Sequence, residues 1–333
     1  MSKRHIINSI DQINTLSDRH RLQILKYLMG QPATISQLGR VFGKHPAWIR
    51  HHLKLLEQTG LVELVLIRVT GGYLEKFYRA VAPAFIYQNI ILPEEPGNTP
   101  ILLMGSHDLA LELLAEIVQL TVGNLHLLLV PVGSLDGLIA LRNGFTPLTG
   151  CHLWDSASGE YNSPFVRYLF PDRDIVLITL ANREQGLILA RGNPLGIHSI
   201  MDLLRPDLNF INRNRGSGTR LWLDNQLRDK GISPEQINGY SQEVVSHTSL
   251  ANTIQQGFAD AGIGLRAAAV KENMEFIPLF TERYDLIIPH DKIENPEIVP
   301  IIDMVRSQTF HRKITTLAGY EDLHTGESQV LHA

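Results

Sequence analysis

His45-Pro46-Ala47-Trp48-Ile49-Arg50-His51-His52-Leu53-Lys54-Leu55-Leu56-Glu57-Gln58 reads as one helix with two unlike faces. Ile49, Leu53 and Leu56 fall at i, i+4 and i+7 and should turn inward. Ala47, Arg50, His51, Lys54 and Gln58 share the opposite, polar and cationic face, with Lys44 and His45 at its start. A helix of that kind fits a DNA major groove: side chains near its start reach base edges, and Lys and Arg neutralise phosphates.

Upstream, Ser17-Asp18 caps a helix carrying Leu22, Leu25, Leu28 and Met29 that ends near Gly30. Thr34 starts a shorter helix with Ile35, Leu38 and Val41, which stops at Gly43. Two short helices, a glycine turn and a third helix are the helix-turn-helix order. Downstream, residues 61–70 read as a strand, Gly71-Gly72 as a hairpin turn and residues 73–81 as the returning strand. Such a hairpin forms a wing, whose Arg68, Lys76 and Arg79 can follow the DNA backbone. On these residues, with the opening Leu16-Ser17-Asp18-Arg19-His20-Arg21-Leu22 and the wing strand Glu75-Lys76-Phe77-Tyr78-Arg79, the stretch 16–80 resembles the ArsR-type winged helix-turn-helix regulators. The resemblance implies binding to double-stranded DNA, usually as a homodimer. The Cys-rich metal-sensing motifs of many such regulators are missing, and adjacent His51 and His52 point about 100° apart on a helix, so no metal site is expected.

Charge divides the chain in the same place. Residues 1–92 hold 12 basic and 5 acidic side chains, whereas the rest holds 18 and 29, so a polyanion partner suits the first part only. With 44% hydrophobic and 19% charged residues, both parts should fold as globular domains. The single cysteine, Cys151, excludes an internal disulfide and a cysteine-based zinc cluster. No secretory apolar region follows the basic start and no apolar run approaches a membrane span, so a cytoplasmic protein with no membrane partner is expected.

The Pro93–Pro100 stretch reads as a linker, and the apolar segment 84–92 before it as a dimerisation helix or a strut on the wing. The expected domains are therefore 1–92, a linker at 93–100, and a second domain at 101–325. From Ile101 onward, strands and helices alternate in the α/β rhythm of a parallel sheet, with separate strands at 174–180 and 186–190. Three strand ends share one chemistry: Gly105-Ser106-His107-Asp108, Gly133-Ser134 and Gly216-Ser217-Gly218-Thr219 each put hydroxyls and unpaired backbone N–H groups at a helix start. Ser246-His247-Thr248-Ser249 is a fourth. One alone is an ordinary N-cap; several together point to an anion. None is a P-loop, and no nucleophile–base pair or paired acids stand out, so no catalytic residue, metal site or cofactor is expected.

The block Asn212–Arg220, followed by Ser246-His247 and Asp260-Ala261-Gly262-Ile263-Gly264, is similar to the periplasmic-binding-protein-like domain of molybdate- and tungstate-binding proteins. That resemblance implies a type II two-lobed α/β fold, with lobe one at 101–180 and 285–325 and lobe two at 181–284. It implies a ligand clasped between the lobes by Ser106, Ser134, Ser217, Thr219 and Thr248, by backbone N–H groups of His107, Gly218 and Thr219, and by Arg213, Arg215 and Arg220. His107, His152 and His247 would add donors. The expected protein is a one-component transcriptional regulator that senses a small oxyanion, molybdate or tungstate first, with sulfate, phosphate or a molecule related to molybdenum cofactor open. The rival readings are an enzyme or binding protein of molybdenum-cofactor or anion metabolism, and a ligand-independent DNA binder.

Overall fold

The computed structural model describes residues 5–7, 9–70, 73–87 and 99–333. By its internal contacts the chain divides into two compact units, Met1–Ile91 and Leu92–Ala333. The expected Gly71-Gly72 turn, linker residues 93–98 and residues 88–92 of the apolar segment lie outside the described residues.

The first unit runs β1 (His5–Ile7), α1 (Ile10–Leu16), α2 (Arg19–Gly30), α3 (Ile35–Phe42), α4 (Pro46–Gln58), β2 (Val62–Thr70), β3 (Tyr73–Ala80) and β4 (Phe85–Tyr87). Local signals set the helix ends. The Asp18 carboxylate accepts the His20 and Arg21 N–H groups, and Thr34 with Gln37 forms a reciprocal capping box on α3. Gly43, at φ +60°, ends α3 in the left-handed conformation that glycine adopts without strain. His45 caps α4 and Pro46 opens it. Ile24, Leu25, Leu28, Leu38, Ile49, Leu53, Leu56, Leu61 and Val62 form the core. Of the apolar positions on α2 and α3, Leu22 and Val41 are exposed, because the buried stripe of α2 runs through Ile24, Leu25 and Leu28 and that of α3 through Leu38. Residues 85–87 are not helical; they pair in parallel with His5–Ile7.

The second unit contains β5 (Thr99–Gly105), α5 (Leu109–Val122), β6 (Leu125–Pro131), α6 (Ser134–Arg142), β7 (Thr149–Cys151), α7 (Ser163–Leu169), β8 (Ile175–Leu189), β9 (Phe210–Arg213), α8 (Gly218–Asp229), β10 (Glu243–Val244), α9 (His247–Gln255), β11 (Ala261–Leu265), α10 (Arg266–Lys271), β12 (Glu275–Pro289), α11 (Val299–Arg306), α12 (Gln308–Ile314), β13 (Tyr320–Glu321) and β14 (Ser328–Leu331). The two expected strands at 174–180 and 186–190 are one 15-residue strand, β8, antiparallel to the equally long β12. This pair runs through both lobes, so the sheet is mixed rather than purely parallel. In lobe one, β8 and β12 join β7 and β14, while β5 and β6 pair in parallel and meet the β7 segment at the Leu103–Leu148 bridge. In lobe two they continue into β11, β9 and β10. Helices α5, α11 and α12 share one buried core with lobe one's sheet, and α6 and α7 pack in another. Cys151 is buried and its thiol is pushed up to about 12 by that burial.

Candidate functional site

Close backbone approach assembles the cleft between the lobes. At the end of β5, a side chain on Gly105 would meet the Gly150 carbonyl at 2.6 Å, so only glycine lets Ser106 turn toward β7. At the start of α8 in lobe two, a Cβ on Gly218 would lie 2.3 Å from the carbonyl oxygen of His152 in lobe one. Direct bonds join the lobes there: Asn214 Nδ2 donates to the Val132 carbonyl at 3.2 Å, and the Leu135 N–H donates to the Gly216 carbonyl at 3.2 Å. The His247 N–H points at His107 Nδ1, 3.4 Å away.

Beneath the cleft, the crossing strands carry a buried charge network. Arg183 is fully buried, with its Nε 2.8 Å from Glu282 Oε1 and its Nη1 on the Asp108 carboxylate. Gln185 Nε2 donates to Glu282 Oε1 at 2.6 Å, and the Tyr320 hydroxyl donates to Asp108 at 2.8 Å. Burial alone would raise the Glu282 carboxyl, but Arg183 and His152 outweigh it and hold the group down to about 2. Burial would likewise lower Arg183, and Glu282 and Asp108 raise it instead. The other Glu282 oxygen meets His152 Nδ1 at 2.9 Å, and His152 Nε2 meets the Ser106 hydroxyl at 2.7 Å. Burial, partly offset by Glu282, keeps His152 neutral by lowering its pKa.

A second group of buried polar atoms has no partner. Arg213 is 1% exposed; its Nη2 donates to the Val245 carbonyl at 3.0 Å, while Nε and Nη1 are unsatisfied. Both ring nitrogens of the fully buried His247 and the hydroxyl of Thr248 are also unsatisfied. Burial and the neighbouring Arg183 guanidinium lower Arg213 to about 9; burial and then Arg213 take His247 well below its ordinary value. A buried cation beside a second cation, with two of its three nitrogens unpaired, is costly unless an anion joins them. As first-turn residues of α8, Gly218 and Thr219 offer N–H groups that no helical carbonyl takes.

The other sequence-derived residues fall differently. Ser217 caps α8 at the Arg220 N–H, and Thr219 Oγ1 accepts from Gln185 at 3.1 Å. The Ser134 hydroxyl is engaged by the His152 N–H at 3.2 Å. Both nitrogens of the His107 ring are taken, one by Glu112 at 2.9 Å and the other by the His247 N–H. Arg220 is bound to Glu243 at 2.7 Å and lies over the Tyr240 ring, while Arg215 is exposed. Sequence reasoning does not reach Arg183, Gln185, Glu282, Asp108 or Tyr320 as site residues. For Arg183, Gln185 and Glu282 the signal is present as polar triplets inside apolar strands, Arg183-Glu184-Gln185 and Thr281-Glu282-Arg283, which overlap across β8 and β12 with Glu282 opposite Arg183 and Thr281 opposite Glu184.

In the first unit, Lys44, His45, Ala47, Arg50, His51 and Lys54 are all exposed, while Ile49, Leu53 and Leu56 are buried. His52 turns inward, its ring 4.1 Å from that of Trp48. On the wing Arg68 lies over Phe77, Lys76 is exposed and Arg79 half-buried. Among the described residues no helix is long and apolar enough to cross a membrane, and no three His, Cys, Asp or Glu side chains group to hold a metal ion.

Residues 115–306 match the PBP superfamily domain, and residues 18–63 match the bacterial regulatory protein, arsR family. The uncharacterized protein YvgK of Bacillus subtilis (strain 168) is 32% identical over 234 residues, 70% of this chain and 75% of its own. Among solved structures, a protein of Clostridium perfringens described as a phosphate ABC transporter substrate-binding protein, with bound phosphate, superposes with a TM-score of 0.51 at 14% identity, covering 67% of this chain and 99% of that one. The sulfate-binding protein SubI of Mycobacterium tuberculosis H37Rv superposes with a TM-score of 0.50 at 13% identity, covering 67% and 86%. At these identities the likeness establishes the fold.

Proposed function

Because the chain belongs to the PBP superfamily and carries an arsR-family segment at its N-terminus, we propose that it is a one-component transcriptional regulator, binding double-stranded DNA through α4 and the wing and a small oxyanion in the interlobe cleft. It would work where the DNA is, in the cytoplasm, and as a homodimer. The observation that carries the ligand reading is Arg213: a buried guanidinium with two unpaired nitrogens near the unpaired His247 ring, with the Thr248 hydroxyl next to it in the chain also unpaired. Arg213, His247 and Thr248, with the N–H groups of Gly218 and Thr219 and with Ser106 on the opposite wall, form the proposed binding set.

Molybdate and tungstate come from the resemblance of Asn212–Arg220; phosphate and sulfate come from the ligands named for the two superposed proteins. Arg215 and Arg220 leave the binding set, one being exposed and the other paired with Glu243. The ligand changes DNA affinity only as far as it prefers one arrangement of the protein over another. The test is thermal unfolding of the full chain with molybdate, tungstate, sulfate, phosphate and vanadate, followed by DNA binding with and without the effective anion. A ligand at a hundredfold excess over its Kd stabilises by about 2.7 kcal/mol, an unmistakable shift. No shift with any of the five overturns the oxyanion reading.

A further inference from the structure

The line Ser106–His152–Glu282 fixes the direction of every proton along it. Arg183 forms a buried ion pair with Glu282 and holds its carboxyl ionised, with Arg183 and Gln185 both donating to Oε1, so Oε2 can only accept. His152 Nδ1, 2.9 Å from Oε2, must therefore carry the ring proton. The ring is fully enclosed beside two guanidinium groups and is neutral, which leaves Nε2 bare. The Ser106 hydroxyl, 2.7 Å from Nε2, must then donate its only proton to the ring. What Ser106 has left is lone pairs. The neighbouring His247 adds a second acceptor: a buried neutral imidazole has one N–H and one bare nitrogen in either tautomer, and neither has a protein partner.

From this geometry we infer that Ser106 meets the ligand as an acceptor, so that the cleft selects an oxyanion still carrying a proton, the hydrogenphosphate class, over fully deprotonated dianions of the same shape. The inference rests on the oxyanion reading above and narrows it. Arg213, Thr248 and the α8 N–H groups serve the unprotonated oxygens; Ser106 takes the remaining O–H. Sulfate, molybdate and tungstate at neutral pH would set an oxygen lone pair against the Ser106 lone pairs, an unmade hydrogen bond in a closed site. Sites built to hydrogen-bond a ligand hydroxyl strongly reject analogues that lack it.

The experiment is titration calorimetry of the full chain at pH 7.5 with phosphate, monofluorophosphate, sulfate, molybdate and tungstate. Monofluorophosphate replaces the P–OH of hydrogenphosphate with P–F at the same charge, which isolates the proton. Phosphate is expected to bind at least tenfold more tightly than each of the others, and any smaller ratio overturns the inference. In Ser106→Ala the phosphate-to-fluorophosphate ratio is expected to fall below threefold; a ratio that persists in the folded variant overturns the assignment to Ser106. Should that variant not fold, the wild-type series still decides. Binding of several anions without proton discrimination leaves the oxyanion reading standing and removes only this inference, whereas no binding of any removes both.

Discussion

Arg183 of β8 and Glu282 of β12 are direct cross-strand partners, with Nε and Oε1 2.8 Å apart, where the two strands pass between the lobes. Neither is exposed by more than 2%. A buried pair of this kind is no gain over apolar residues, but breaking it leaves charges with no counter-ion. Arg183→Met would strand both Glu282 and Asp108. It is expected to lower unfolding free energy by about 3–5 kcal/mol in urea denaturation; a loss below about 1 kcal/mol would mean that water reaches the network.

The opposite holds for Arg213, which has no ion-paired acidic partner among the described residues to strand. Arg213→Met keeps the bulk and removes a charge that burial disfavours. The ligand-free variant is expected to melt at the wild-type temperature or above, while the thermal shift with the effective oxyanion disappears. A melting point well below wild type, with the anion shift retained, would make Arg213 a structural residue.

Stability should depend on pH through the buried histidines. His152 and His247 have folded pKa values below their ordinary 6.5. Below 6.5 the unfolded chain takes up protons that the folded chain refuses, so stability is full above that pH and falls as the pH drops through it. The slope is at most about 1.4 kcal/mol per pH unit for each histidine. Glu282, at about 2 against an ordinary 4.5, adds stability that is present above 4.5 and lost as pH falls from there toward 2. Urea midpoints at pH 7.5 and 5.5 check the first window; equal midpoints contradict it.

Much of the first unit is legible in sequence because its signals are local. Asp18, Thr34 with Gln37, Gly43 and Pro46 mark helix ends within a few residues of the helices they bound. The unpaired Arg213, His247 and Thr248 also fall inside blocks that the sequence marks out by their glycines and hydroxyls. The network below them is only partly marked: Ser106 and Asp108 lie in such a block, whereas Arg183, Gln185 and Glu282 do not, and Ser106 and His152 are 46 positions apart and His152 and Glu282 130. Spacing carries no trace of a contact made by pairing across two long strands. The polar triplet 183–185 instead reads as a gap between two strands, because a charged run usually marks solvent, and here it marks the crossing between lobes.

The DNA-binding face makes a prediction independent of the cleft. Arg50 and Lys54 are exposed on the side of α4 opposite the buried Ile49, Leu53 and Leu56. If they neutralise phosphates, Arg50→Ala and Lys54→Ala should each weaken binding to duplex DNA. Each should also lower the slope of log K against log salt by about 0.9 for every phosphate left un-neutralised. A residue that reads a base instead would relax sequence preference and leave the salt slope nearly unchanged. Because these side chains belong to the first unit, the anion-induced thermal shift should stay at its wild-type size in both variants. Unaltered DNA affinity and slope in both would move the DNA-binding surface away from α4.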